Sequence, residues 1–300
     1  VRWCNGSTRP FGGLCHGSNP CRTAKLDSAL PTNSSVLGLY MDQTPPNMEL
    51  PPPTPATRET SLPAKLMNVI ASPGEVFDEV KATPPTTSNW VVPALIASVL
   101  GIVFTLVMFS QPAIQRQMRA QQEKAFEQQV KAGKMTQQQA DQAMEMTQKF
   151  TGPIMKVIGA VSAVFMSFVK LFWWALVLWL IAKWFLKVDV PYMKAVEVAG
   201  LSSIIVVLGG IVALLLMVIF GKMFASASLA LLVSEFDITN KKHFLLAAVN
   251  GFNFWFVAVT GLGLARLTGT SFGRATVYFL IYWVAISLFF IAIGMGQFAL

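Results

Sequence analysis

Residues 154–185 read IMKVIGAVSAVFMSFVKLFWWALVLWLIAKWF. A helix needs about 20 predominantly apolar residues to cross a bilayer. This run exceeds that, and it is continuous rather than alternating, which excludes the strand pattern of a membrane barrel. Three lysines punctuate it, Lys156, Lys170 and Lys183, at nearly even spacing. Trp173, Trp174, Trp179 and Trp184 gather in its later half.

Four more apolar segments flank it, at about 91–109, 201–220, 245–264 and 275–298. Trp90 stands at the entry to the first, and Pro93 falls in its first turn, where proline is tolerated. The 245–264 segment is the least apolar, because it carries Asn250, Asn253 and several glycines. The composition agrees. The 300 residues are 54% hydrophobic and 13% charged, against about 25% charged in a soluble domain. Mean hydropathy is +0.54. That balance excludes a cytosolic enzyme and a free nucleic-acid binder. The net charge of +8 then points to loops near anionic lipid. The expected fold is all-α: a polytopic integral membrane protein of five transmembrane helices, with a short N-terminal amphipathic helix and an extramembrane helical hairpin.

The amphipathic helix starts at Ser72-Pro73-Gly74-Glu75. Ser72 can cap, Pro73 suits the first helical position, and Glu75 can close a capping box. Val76, Phe77 and Val80 then share a side, which suits either the membrane surface or packing on the protein. The hairpin is expected in 111–150, which holds twelve glutamines and few turn formers. Gly133 breaks it, and Thr136 with Gln139 forms a second capping box. The glutamines read as a solvated face. Pairs of small residues, Gly159 with Ala163 and Gly261 with Ala265, mark close helix packing.

Residues 1–40 read differently. They hold all three cysteines, Cys4, Cys15 and Cys21, in a stretch without periodicity. Gly17-Ser18-Asn19-Pro20 can be encoded by a string like the T-arm of a transfer-RNA gene. The expectation is a reading frame extended upstream, with the natural start at Met41. The competing metal site, Cys4, Cys15, His16 and Cys21, has no recognised zinc spacing. Residues 41–63 carry seven prolines and read as a disordered linker, ahead of a membrane domain at 64–300.

Catalytic groups are sparse. Gly269-Thr270-Ser271-Phe272-Gly273 matches G-x-S-x-G, but a serine nucleophile needs a strand–turn–helix setting, and these residues fall between two apolar helices. His243 follows Lys241 and Lys242 and reads as a solvated loop residue. Lys170 stands out, because a charge inside a span is a functional candidate by default. Lys156 and Lys183 are 27 residues apart, about 40 Å of helix, so Lys170 falls near the midplane of a hydrocarbon layer about 30 Å thick. Asn250, Asn253 and Glu197 are its candidate partners. No cofactor or metal is expected.

Residues 66–80, LMNVIASPGEVFDEV, resemble the opening of the Yip domain, the Ypt/Rab-interacting membrane family. Bacterial members commonly begin with S-P-x-E-x-F-x-x-I and then a Trp/Pro-led first span. Glu75, Phe77, Trp90 and Pro93 fit, as do Met135–Gln139 and the polar-aromatic stretch Asn250–Trp255. The resemblance covers about 64–300. It implies an integral protein of the bacterial cytoplasmic membrane with its N-terminal region inside, and it carries over no catalytic residues. The D-L-Y-G-P type motif of eukaryotic members is missing, so small GTPase binding is not carried over. The expected role is a non-enzymatic membrane scaffold or membrane-organising protein; the alternative is a small transporter or channel. The expected partners are the lipid bilayer and other membrane proteins or a second copy, and no nucleic acid.

Overall fold

The structure, a computed structural model, describes residues 60–296 apart from 151–152 and Thr239, and without the side chains of 147–150 and 153. The expectations for residues 1–40, for the start at Met41 and for the linker up to residue 59 lie outside the described residues, as does the end of the last apolar segment. Ten α-helices are described: α1 (Leu62–Ala71), α2 (Pro73–Ala82), α3 (Ser88–Met108), α4 (Pro112–Lys131), α5 (Gln137–Phe150), α6 (Pro153–Leu180), α7 (Tyr192–Phe220), α8 (Lys241–Ala248), α9 (Gly251–Thr268) and α10 (Phe272–Ala292). A π turn at Ile181–Phe185 prolongs α6. Among the described residues there is no strand, only an isolated bridge between Ser228 and Asn250.

Among the described residues, four helices are long and apolar enough to cross a membrane: Ser88–Met108, Ile154–Phe185, Tyr192–Phe220 and Phe272–Ala292. The segment expected at 245–264 is divided. α8 stops at Ala248, and Asn250 caps α9, its side chain accepting from Phe252 N–H at 2.9 Å. The Asn-Gly pair is a turn signal, and here it outweighs the apolar run around it.

Close contacts at glycines fix how the long helices run. Gly200 abuts Trp90 and Gly210 abuts Leu100, ten residues further along both chains, so α3 and α7 are parallel. Gly101 meets Ala163 while Gly159 meets Thr105, so α3 and α6 are antiparallel. Gly209 with Phe252, and Gly263 with Val198, set α9 antiparallel to α7. Gly261 with Thr276, and the ring of Phe254 tilted against Trp283, set α10 antiparallel to α9. Backbones come this close only where no Cβ intervenes. The outer faces stay apolar: Val99, Val161, Phe165, Val206, Ile219 and Ile281 are exposed. In water that belt would be a liability; it suits lipid.

One end of the bundle carries α1 and α2 with the α6–α7 and α9–α10 turns. The other carries α4, α5, α8 and the 221–240 loop. α1 begins at Leu62, inside the stretch that reads as linker, because Pro63 lies in its first turn. The apolar face of α2 packs on the protein: Val76, Phe77 and Val80 are 0–2% exposed within the main core. Moving each of those side chains out of water is worth about 1.5–3 kcal/mol. The expected Ser72–Glu75 capping box does not form. Ser72 also closes α1, donating its N–H to Asn68 O at 2.6 Å, and its side chain makes no cap bond. The Thr136–Gln139 box does form, with reciprocal bonds of 2.9 and 3.2 Å.

The glutamines of α4 are more than a solvated face. Gln117 donates to Gly221 O at 2.6 Å and accepts from Met223 N–H at 3.0 Å. One helical turn on, Gln121 donates to Phe236 O at 2.5 Å and accepts from Ile238 N–H at 3.3 Å. Each amide pairs with backbone as a neighbouring strand would, and together they pin the 221–240 loop against α4.

Candidate functional site

Two polar features sit within the apolar bundle. The first is Lys170, on the face of α6 that looks between α3 and α7. Together with Ser167, Trp174, Ala94, Ala97, Gly101, Ser203 and Val207, it lines a cavity of about 260 Å³. Small residues make the space: Ala94, Ala97 and Gly101 recur along one face of α3, and Gly210 continues it on α7. Phe256 closes the floor from α9. Of the lining residues, Lys170 and Val206 are the exposed ones, so the cavity opens on the flank of the bundle. Ser167 and Ser203 return their hydroxyls to their own helices, to Ala163 O at 2.8 Å and Gly200 O at 2.6 Å. No hydrogen bond or ion pair is found for Lys170 among the described residues.

The partners expected for Lys170 are elsewhere. Asn250 caps α9, and Asn253 Nδ2 donates to Ala248 O at 3.5 Å, both at the hairpin end. Glu197 stands at the opposite end, in the first turns of α7. The sequence offered all three because they are polar groups beside apolar runs; helix ends claim them first.

Glu197 is the centre of the second feature. It is fully buried. Its Oε1 accepts from Asn89 Nδ2 at 2.7 Å and from Thr86 N–H at 2.8 Å. Its Oε2 meets Lys194 Nζ at 2.7 Å. Lys194 Nζ also donates to Val80 O at 2.6 Å, one of the carbonyls left open in the last turn of α2. A cation at a helix C-terminus also opposes the negative end of its dipole. A single carboxylate and a single amine thereby tie α2, the α2–α3 connection, α3 and α7 together. Asn89 and Lys194 did not stand out in the sequence; the polar run Thr86–Asn89 ahead of the first span is the signal that could have found one of them.

A similar device holds α1. Lys65 Nζ lies 3.1 Å from Glu79 Oε1, both largely buried. Burial raises the pKa of the Glu79 carboxyl, but bonds from Thr60 and the Lys65 cation outweigh it and hold the group below the ordinary glutamate range. Arg266 reaches Asp78 at 3.3 Å, with both side chains about half exposed, and such pairs contribute little.

Of the remaining expected residues, Phe77 is wholly buried in the notch at Gly263, beside Val198, and Glu75 is exposed on α2. The G-x-S-x-G match is a pair of helix ends. Gly269 closes α9 at φ +69°, and Ser271 precedes α10. His243 is half-buried in the first turn of α8, its Nδ1 accepting from Asp237 N–H at 2.9 Å.

Comparison with known families places this arrangement. The family model described as the Yip1 domain matches residues 67–294. A search of curated proteins and one of solved structures found no match. The match runs from α1 through α10, and the chain belongs to the Yip1 domain family.

Proposed function

We propose that this Yip1-domain membrane protein is a non-enzymatic scaffold of the bacterial cytoplasmic membrane. The carrying observation is that its buried ion pairs serve fastening. Lys194 and Glu197 lock α2 to α3 and α7, and Lys65 with Glu79 locks α1 to α2. Charges at an end of a membrane bundle are costly to bury; here they hold two short helices in one position on its surface. The polar pair α4–α5 stands at the other end. A rigid bundle with an organised surface at each end suits a protein that positions other membrane components.

In this reading α9 is a fifth crossing. It runs antiparallel to α7 and α10 and joins the 221–240 loop to Arg266. The α2 end faces the cytoplasm, where Lys183, Lys187, Arg266 and Arg274 flank the short turns. The hairpin end faces outward, although its own basic residues pull the other way.

The competing reading is a small transporter, favoured by the Lys170 cavity. Flux through proteoliposomes separates the two. A scaffold leaves ion and solute leak at the level of empty liposomes, while crosslinking in native membranes captures a recurrent neighbour at α1–α2 or at α4–α5. Substrate-selective flux would overturn the scaffold.

A further inference from the structure

We propose that the Lys170 cavity is a lateral binding site for a long-chain carboxylic acid drawn from the membrane, held by an ion pair to Lys170 with its chain against α3.

The charge asks for an anion. Gly101 beside Ala163 and Gly159 beside Thr105 set Lys170 level with Ala94 of α3, six residues or about 9 Å of helix inside the start of that span at Ser88. That is beyond the reach of a lysine side chain, so the amine stays within the span. An intramembrane charge costs at least about 2.5–3.5 kcal/mol, and no protein group among the described residues pairs with it. The lining asks for a chain. Ala97, Leu100 and Phe104 lead away from Lys170 along α3, and Val206 and Val207 face them from α7. The opening beside Lys170 and Val206 is on the lipid-facing flank, so the ligand need not pass through water.

Size and depth select among anionic amphiphiles. A cavity of about 260 Å³ lies below the usual range for drug-sized ligands, room for part of one chain and not two. A phospholipid would also have to drag a fixed charge and its headgroup into hydrocarbon. A carboxylic acid can enter protonated and uncharged. Lys170 meets it as an uncharged amine, the form that avoids the cost of an unpaired charge in the span. The acid passes its proton to that amine, and the neutral pair becomes a carboxylate–ammonium pair of no net charge.

The test uses the full chain in phosphatidylcholine nanodiscs with a photoactivatable diazirine palmitate, and the matching long-chain alcohol as control. The wild type should crosslink the acid at α3, α6 and α7 peptides at least tenfold more than the alcohol. Lys170→Leu should lose that excess and Lys170→Arg should keep it. Ala97→Phe, which leaves the charge and fills the space, should abolish it too. Melting in the same discs shows which variants fold; should Lys170→Leu not fold, Lys170→Gln and Ala97→Phe decide. Equal labelling by acid and alcohol, or undiminished labelling in a folded Lys170 or Ala97 variant, overturns the site. Displacement of the palmitate by phosphatidylglycerol but not by unlabelled palmitate overturns the choice of ligand.

Discussion

Asn89 Nδ2 and Glu197 Oε1 lie 2.7 Å apart in the interior of the α2 end, although 108 residues separate them in the chain. The same carboxylate holds Lys194, and Lys194 holds the end of α2. Removing one partner strands the other charge. Glu197→Leu should therefore destabilise the protein by about 3–5 kcal/mol, whereas Lys194→Met with Glu197→Leu together should cost much less, because both charges leave at once. Denaturant unfolding in detergent with a double-mutant cycle measures this. Additive effects of the two single substitutions would show that they do not act as a pair.

Acid should release α1 before the bundle. The bonds from Thr60 and Lys65 hold Glu79 at a pKa below that of an unfolded glutamate, which titrates near 4.3. A depressed folded pKa means that the stabilisation is present above the unfolded value and fades as pH falls through the folded one. Hydrogen exchange in α1 should rise as pH drops below about 4, once corrected for intrinsic rates. Glu79→Gln should show the raised exchange already at neutral pH. Unchanged α1 protection in that variant would mean that apolar packing alone holds the helix.

The close approach of α3 and α7 rests on Gly200. A Cβ there would sit 2.6 Å from Trp90 Cα, so backbone must move. Gly200→Ala should cost about 1–3 kcal/mol, as overpacking does. Gly251→Ala, where nothing lies within 4 Å, should leave the melting temperature nearly unchanged. Equal melting temperatures for the two variants would contradict the packing.

The long apolar helices were legible because hydropathy over some twenty residues is a local property. So was the Thr136–Gln139 box, whose two partners are three residues apart. The fastening of α2 was not, because Glu197 meets Thr86 and Asn89 only after two spans and a hairpin have folded. Glu197 looked available to Lys170 for the same reason. The α8–α9 break was within reach, since Asn250-Gly251 is a turn pair, but hydropathy averaged over the segment hid it. Phe77 read as a family position; the structure adds that its ring fills the notch at Gly263.

The bonds from α4 to the 221–240 loop should be separable. Gln117→Leu removes the partners of Gly221 O and Met223 N–H; Gln121→Leu removes those of Phe236 O and Ile238 N–H. A net hydrogen bond contributes about 0.5–1.5 kcal/mol, so exchange at the affected amide should quicken by roughly tenfold. Met223 should respond to the first substitution and Ile238 to the second. A loop that loosens as one unit under either change would mean that a single contact holds it.

The last prediction concerns α9. Its 18 residues make about 27 Å of helix, close to the hydrocarbon thickness of about 30 Å. Its start adjoins the 221–240 loop, since Leu229 N–H bonds Val249 O at 3.2 Å and Gly251 N–H reaches Ala227 O at 3.4 Å. Its end reaches α2 through Arg266 and Asp78. If those two ends lie on opposite faces of the membrane, single cysteines at Ser234 and Thr270 must label from opposite sides. Cysteines at Lys81 and Gln129 supply the reference faces, with Cys4, Cys15 and Cys21 changed to serine. Thr270 should then report with Lys81, and Ser234 with Gln129. If Ser234 and Thr270 react from the same side, α9 re-enters instead of crossing, and the bundle has four spans with α10 reversed. If the pairs agree but Gln129 reacts only from the cytoplasm, the crossing stands and the whole protein is inverted.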